Sequence, residues 1–196
     1  MSKIRVVHYI NNFFAGIGGE EKQISRQRAG VVGPGIAFQS QFNDDAEIIS
    51  TVICGDTYFG ENIESATQEL LKMIKEESPD LFIAGPAFNA GRYGVACGTI
   101  CKAVEEELNI PVITGMYKEN PGVDMFKLDL HIVSTGNSAA SLRKVVPIMT
   151  LGLKLVRGEE IGPPEEEGYI MRGIVFHELR GSERAIDMLV DERGKL

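Results

Sequence analysis

The sequence predicts an α/β fold, a doubly wound, mostly parallel sheet of about five to six strands flanked by helices. Short apolar runs alternate along the chain with longer stretches whose apolar residues recur at helical spacing. The runs are apolar almost throughout, which is typical of strands that helices cover on both faces. Strands that alternate with helices are joined by right-handed crossovers and therefore run parallel. A chain of 196 residues is long enough for one such domain.

Five strands are predicted from the apolar runs. They span residues 5–10, 49–54, 81–84, 111–114 and 130–134. The first four of them are each followed by a loop that is rich in glycine and polar residues. In open parallel sheets, ligands bind at the carboxyl ends of the strands, where such loops converge. These four loops are therefore the predicted functional edge.

Three amphipathic helices are predicted, over residues 62–77, 92–108 and 138–156. We expect Pro147 to kink or divide the third, because proline cannot donate the hydrogen bond that a helix interior requires. These elements form a predicted substrate-side domain over residues 1–157. The remaining residues, 158–196, begin with the acidic stretch GEEIGPPEEEG, which predicts a connector. One more strand over 169–176 and a helix over 183–190, with Ser182 as its N-cap, are predicted to follow.

Charge and composition exclude several function classes. Twenty basic and twenty-eight acidic residues give a net charge of -8, whereas binding to nucleic acid requires clustered Lys and Arg. No apolar run approaches the 18 residues of a membrane span, and the N-terminus is too polar for a secretory signal. Three cysteines without framework spacing are expected of reduced thiols. We therefore expect a cytoplasmic protein that binds neither nucleic acid nor membrane.

Several conspicuous residues are better explained by structure than by chemistry. The glycines at 16–19 lack the third glycine of a dinucleotide loop and the GK[ST] of a phosphate loop, which favours a flexible turn. Cys97 and Cys101 lie on an apolar helix face without further metal ligands nearby, so no metal site is expected. Cys54 ends a strand and is interpreted either as a packed residue or as a thiol near a substrate. The three histidines, His8, His131 and His177, are interpreted as core or edge residues.

Acidic, aromatic and amide side chains are concentrated in the four loops, together with Arg92. Carboxylates and aromatic faces attract a small cationic head, and a guanidinium binds a carboxylate through two parallel hydrogen bonds. A zwitterion such as an amino acid or an N-methylated glycine needs both kinds of group. The predicted substrate-binding residues are Glu20, Glu21, Asp56, Tyr58, Glu61, Asn89, Arg92, Tyr93, Tyr117, Glu119 and Asn120.

The loops also carry a family resemblance. The stretches FFAGIGGEEK (13–22), VVGPGIAFQ (31–39), VICGDTYFGEN (52–62), FIAGPAFNAGRYGVACG (82–98), PVITGMYKENPGVDMF (111–126) and RGSERAIDML (180–189) carry it. They resemble the selenoprotein subunit of component B of the glycine, sarcosine and betaine reductase complexes of amino-acid-fermenting anaerobes. The resemblance extends over nearly the whole chain.

The resemblance implies an oxidoreductase subunit that acts in a reductive deamination. In this family a selenocysteine attacks the carbon that bears the amino group, the amine leaves, and the carboxymethyl group passes to the selenium of selenoprotein A. The family's selenocysteine lies in a later half that this sequence lacks. The resemblance thus implies no cofactor and no nameable catalytic nucleophile in this chain, which alone should be inactive. The implied partners are a companion component B subunit and selenoprotein A.

Some alternatives stay open at this point. The chain could be an expressed fragment, a truncated gene model or a stand-alone relative, and residues 158–196 would lead toward the missing C-terminal half. Instead of an enzyme part, it could be a non-catalytic module that binds an amino acid or betaine, or a scaffold that docks a partner subunit. The three tyrosines in the loops favour methylated amines slightly, but the sequence does not choose among glycine, sarcosine and betaine.

Overall fold

A computed structural model of the chain describes residues 2–17 and 26–173. These residues contain a six-stranded sheet: β1 (Ile4–Asn11), β2 (Arg26–Ala29), β3 (Ala46–Cys54), β4 (Leu81–Phe88), β5 (Val112–Met116) and β6 (Ile132–Ser134). The strand order is β2-β3-β1-β4-β5-β6. All neighbours pair in parallel except β2, which is an antiparallel edge strand on β3. The predicted fold class is confirmed.

Helices cover both faces of this sheet. They are α1 (Gly35–Phe42), α2 (Asp56–Glu61), α3 (Ile63–Glu77), α4 (Gly91–Leu108), α5 (Pro121–Phe126), α6 (Val146–Arg157) and α7 (Pro164–Glu167). On one face, Leu70 of α3 and Ile100 of α4 join a buried cluster with Tyr9 of β1. On the other face, α1 and α6 form a second cluster, in which Phe38 packs with Val6 of β1. Alternate residues of β1 therefore enter the two cores, as a strand buried on both faces requires.

The five strands and three helices that were predicted between residues 5 and 156 are present, with shifted ends. β4 continues to Phe88, four residues beyond its predicted end, through a cis peptide bond between Gly85 and Pro86. The predicted break near Pro147 is confirmed, because a 3-10 helix over Ala139–Val145 gives way to α6 at Val146. Pro147 then lies in the first turn of α6, where its missing N–H is not needed.

Besides α7, four elements were not predicted. β2 is a four-residue edge strand that carries two arginines, α1 contains only three buried residues, and α2 and α5 are six residues long. Short elements of this kind give little periodicity to detect.

Most of the sequence-based expectations for 158–196 remain predictions. The acidic connector contains α7, and Tyr169 forms an isolated antiparallel bridge with Val133. The rest of the predicted strand, the helix over 183–190, Ser182 and His177 lie outside the described residues.

The cysteines and one histidine are core residues. Cys54, Cys97 and Cys101 are buried and form no disulfide bond within the described residues. Burial raises the pKa of the Cys97 thiol well above its ordinary value, and the pKa of Cys101 is raised for the same reason. His8 is fully buried, and its Nε2 donates a hydrogen bond of 2.6 Å to the carbonyl oxygen of Gly85. Burial lowers the pKa of His8 from 6.5 to about 4, so the imidazole is neutral at pH 7.

We expect stability to fall as the pH drops from 7.5 to 5, because the unfolded chain protonates His8 near pH 6.5 while the folded chain resists protonation down to about pH 4. The contribution of His8 to this loss is about 2 kcal/mol. His131, whose pKa burial also lowers to about 4, adds to the loss in the same window. Urea unfolding at pH 7.5 and at pH 5 measures this loss of stability. His8→Gln keeps a neutral donor for Gly85 and should flatten the profile; an unchanged profile would contradict this assignment.

A second prediction concerns the packing of α4 on α5. A Cβ atom at Gly98 would lie 2.1 Å from Cδ2 of the buried Phe126 ring. Gly98→Ala should therefore overpack this contact and lower the free energy of unfolding by about 1–3 kcal/mol. Gly60→Ala is the matched control, because Gly60 is also helical and has no atom within 4 Å of its would-be Cβ. Equal midpoints of denaturant unfolding for the two variants would show that this packing is not tight.

Candidate functional site

The four loops singled out in the sequence follow β1, β3, β4 and β5. Because these strands are parallel, their carboxyl ends lie at one edge of the sheet. We call this edge the rim and define it by residues 11–17, 54–62, 88–94 and 116–122. In the sheet, β3 lies on one side of β1 and β4 lies on the other side. The direction in which the chain adds strands to the sheet therefore reverses between β1 and β4. A crevice at such a reversal is the usual ligand position in this topology.

Asn11 joins the two sides of the β1 end. Its Nδ2 donates to Oδ2 of Asp56 at 2.9 Å, and its Oδ1 accepts from the backbone N–H of Phe14 at 3.0 Å. One buried amide therefore ties the loop after β1 to the first residue of α2. The Asp56 carboxylate is thereby fixed at the rim beside the reversal point.

Arg92 lies at the rim, at the start of α4. It is the second residue of α4, is exposed, and donates from Nη1 to Oγ1 of Thr57 at 3.1 Å. This contact uses one of the five guanidinium donors, and the fork geometry suits a carboxylate. No side chain caps the start of α4, whose N-terminal N–H groups add positive potential near Arg92. Arg92 therefore contacts the residue that follows Asp56 in α2.

Asn120 fixes the loop between β4 and α4. Its Nδ2 donates to the carbonyl oxygens of Phe88 at 2.9 Å and Ala90 at 3.1 Å, and its Oδ1 accepts from the N–H of Gly122 at 2.9 Å. The side chain is 1% exposed. Phe88, at the end of β4, has a φ of 49°, a conformation that non-glycine residues seldom adopt. Strained backbone that its surroundings hold in place is frequent at functional sites.

Aromatic rings cluster at the carboxyl ends of β1 and β4. Phe14 lies 5.9 Å from Phe88 and 5.8 Å from Tyr93, measured between ring centroids, and Phe13 stands edge-on to it at 5.4 Å. Phe13 is the exposed member, Phe14 is half-buried, and Tyr93 is fully buried. Below them Tyr9 is 6.0 Å from Tyr93. These rings form an aromatic wall at the rim.

The structure places the predicted site residues in three groups. Arg92, Asn89, Glu61 and Glu119 are exposed at the rim, with Asp56 and Tyr117 partly buried there. Tyr93 and Asn120 are buried beneath it, Tyr93 packed against aromatic rings and Asn120 bonded to the backbone, so they support the rim from below. Tyr58 donates to Oε1 of Glu69 at 2.8 Å, and this hydrogen bond raises the pKa of its phenol. Glu20 and Glu21 lie outside the described residues. The binding roles of all these residues stay predictions.

Three residues at the rim were missed from the sequence. Asn11, Phe14 and Thr57 were part of the loops but carried no separate signal. An asparagine that ends an otherwise apolar strand is the one hint, because it is an uncommon residue for a buried position. Their contacts are between elements distant in sequence, which no local pattern records.

The described parts of the chain offer no other obvious chemistry. In residues 2–17 and 26–173, no three His, Cys, Asp or Glu side chains are grouped so that they could hold a metal ion. None of the helices described is long and apolar enough to cross a membrane. The rim brings Arg92, Asp56 and the aromatic wall to one edge of the sheet.

Comparison with known proteins identifies relatives. Residues 3–194 match the family model described as glycine/sarcosine/betaine reductase selenoprotein B. The chain is 62% identical to the sarcosine reductase complex component B subunit beta of Peptoclostridium acidaminophilum, over 98% of this chain and 45% of the relative. It is 56% identical to the glycine reductase complex component B subunit gamma of Carboxydothermus hydrogenoformans, over 97% and 45%.

A betaine reductase complex component B subunit beta, from Peptoclostridium acidaminophilum, is 40% identical over 95% of this chain and 44% of the relative. No solved structure matches the chain. The chain spans about 45% of the length of the curated relatives it matches, and the match covers their N-terminal half. The family model covers almost every residue, and the identities are high over nearly the full length. The chain therefore belongs to the glycine/sarcosine/betaine reductase selenoprotein B family.

Proposed function

We propose that this chain is the substrate-binding N-terminal part of a component B subunit that reductively deaminates glycine, sarcosine or betaine. The observation that carries the proposal is that Asp56 and Arg92 both lie at the rim, where Asn11 of β1 holds Asp56 and Thr57 of α2 holds Arg92. A small zwitterion carries a carboxylate and an ammonium group a few ångströms apart. The guanidinium would bind the first and the carboxylate the second.

Binding of this kind would orient the substrate. The bond to be broken joins the amine nitrogen to the neighbouring carbon. Fixing the substrate's charged ends on either side of it limits the directions from which a nucleophile can attack. Asp56 would also interact with the amine while it remains protonated as a leaving group. The selenocysteine and the transfer of the carboxymethyl group to a selenoprotein partner are assigned, in this proposal, to parts of the complex outside this chain.

The relatives leave the choice of amine open. Their names include sarcosine, glycine and betaine reductase subunits, at 62%, 56% and 40% identity. The aromatic wall of Phe13, Phe14 and Phe88 favours a methylated amine, because ring faces attract N-methyl groups that carry positive charge. Identity and aromatic character both favour sarcosine as the first ligand to test.

The test is calorimetric titration of sarcosine, glycine and betaine into the 196-residue chain. Arg92→Ala should weaken binding of the preferred ligand by about tenfold or more, because a charge-assisted hydrogen bond to the carboxylate is lost. Arg28→Ala is the matched control: Arg28 is also an exposed arginine, but it lies on β2, away from the rim.

Two outcomes would contradict the proposal. If Arg92→Ala and Arg28→Ala bind as the unaltered chain does, Arg92 is not the carboxylate-binding residue. If none of the three ligands binds the chain, the rim is not a substrate site by itself, and a docking role for this part of the subunit becomes the better explanation.

A further inference from the structure

Three hydroxyl groups are buried in the core beneath the rim. Tyr9, Tyr93 and Thr114 are each 0% exposed. Among the described residues, none of their three side-chain oxygens has a hydrogen-bond partner. A buried hydroxyl without a partner lowers the stability of the fold, and nearly all buried polar groups of native proteins bond to protein atoms or to ordered water. Each of the three therefore points to a partner other than the described protein atoms.

The sheet places two of these hydroxyls on the same face. Ala84 of β4 pairs with Tyr9 of β1 on one side and with Thr114 of β5 on the other. Residues that pair across neighbouring strands direct their side chains to the same face of a sheet. Tyr9 and Ala84 belong to the core cluster on the α4 side. Because Ala84 carries only a methyl group, the space above it separates the two hydroxyl-bearing side chains.

Helix α4 covers this space. Tyr93 and Cys97 are four residues apart in α4 and therefore lie on one face of it. The ring centroid of Tyr93 is 6.0 Å from that of Tyr9. Burial raises the pKa of the Cys97 thiol, whereas the hydroxyls of Tyr93 and Thr114 act to lower it, which places both hydroxyls beside the sulfur. We call Tyr9, Tyr93, Cys97 and Thr114 the hydroxyl cluster.

The protein groups nearest to the cluster do not satisfy its hydroxyls. Tyr93 and Thr114 lie beside Sγ of Cys97, but neither forms a hydrogen bond to it, and a thiol is in any case a weak partner. The Tyr93 hydroxyl also approaches the backbone of Asn11, again without a formed hydrogen bond. The Tyr9 hydroxyl has neither kind of neighbour. A single additional group among the three hydroxyls could bond to all of them.

The chemistry of the cluster fits a neutral occupant. Burial raises the pKa of the Tyr9 and Tyr93 phenols and of the Cys97 thiol, so all three groups are protonated at pH 7. Neutral groups in a buried site do not compensate for the hydration that an ion loses. Hydroxyls both donate and accept, as water does. Buried waters typically make about three hydrogen bonds to polar groups of this kind.

We propose that an ordered water molecule binds in the hydroxyl cluster and bridges the hydroxyls of Tyr9, Tyr93 and Thr114. This water connects β1, β5 and the first turn of α4. Tyr93 directly follows Arg92 in α4, so the water anchors the turn that contributes Arg92 to the rim. The site goes beyond the proposed function, because it requires no substrate.

The sign of a stability change tests the proposal. Tyr9→Phe removes the hydroxyl and keeps the ring. Because a hydrogen bond to the water is lost, urea unfolding should show a folding equilibrium constant reduced by about fivefold. A hydroxyl without a partner would give the opposite result, since its removal stabilises the fold. Thr114→Val should act in the same direction as Tyr9→Phe. The double variant should lose less than the product of the two reductions, because both hydroxyls bind the same water.

Oxygen-17 relaxation dispersion of the solvent detects the water itself, because it reports water molecules that stay bound for longer than the protein takes to tumble. The double variant should lose the signal of about one such molecule. Tyr169→Phe is the matched control. It removes a phenol hydroxyl that donates to the carbonyl oxygen of Gly162 at 3.2 Å, in the core on the other face of the sheet. It should leave the dispersion unchanged.

Two results would overturn the proposal. The first is a folding equilibrium constant that Tyr9→Phe leaves unchanged or increases. The second is a dispersion signal that the double variant does not reduce, or that Tyr169→Phe reduces equally. Neither measurement involves substrate, so failure here is separate from failure of the ligand titration.

Discussion

The parallel pairing of β1 with β3 on one side and β4 on the other is the constraint on which the candidate site depends. Asn11, Cys54 and Phe88 end these three strands, and the register brings their following loops to one edge. Residues far apart in sequence, such as Asp56 and Arg92, become neighbours only through this arrangement. The buried alternate residues of β1, packed into both cores, stabilise the pairing through apolar surface removed from water.

Neutral side-chain amides, more than ion pairs, hold the rim in shape. Asn11 and Asn120 are both buried, and each bonds two separate segments. Hydrogen bonds of this kind contribute about 1 kcal/mol each, but a buried partner left without one costs more. The amides do not titrate, so the rim keeps its geometry across the pH range in which His8 affects global stability. One of these amides, that of Asn11, holds the carboxylate of Asp56 in place.

Much of the fold could be predicted from the sequence, and much less of the site. The strands over 5–10 and 81–84 and the helix over 92–108 were found because long apolar or amphipathic patterns record burial directly. β2 and α2 were not predicted, because elements of four to six residues are too short to show a hydrophobic period. At the site, residue type singled out four loops, and the structure brings those loops to one edge of the sheet. Whether a side chain faces solvent is set by tertiary packing. Tyr93 and Asn120 thus proved to be buried supports, while Asn11 and Thr57 emerged only from contacts across the sheet edge.

The most direct measurement of the central claim is an NMR titration of the isotopically labelled chain with sarcosine. The account predicts that the largest amide shift changes fall in the segments that end β1, β3, β4 and β5, with Phe14, Thr57 and Arg92 among them. Changes confined to the opposite edge of the sheet, around His131 and Asn109, would contradict it. So would saturable shifts spread over both cores with none at the rim.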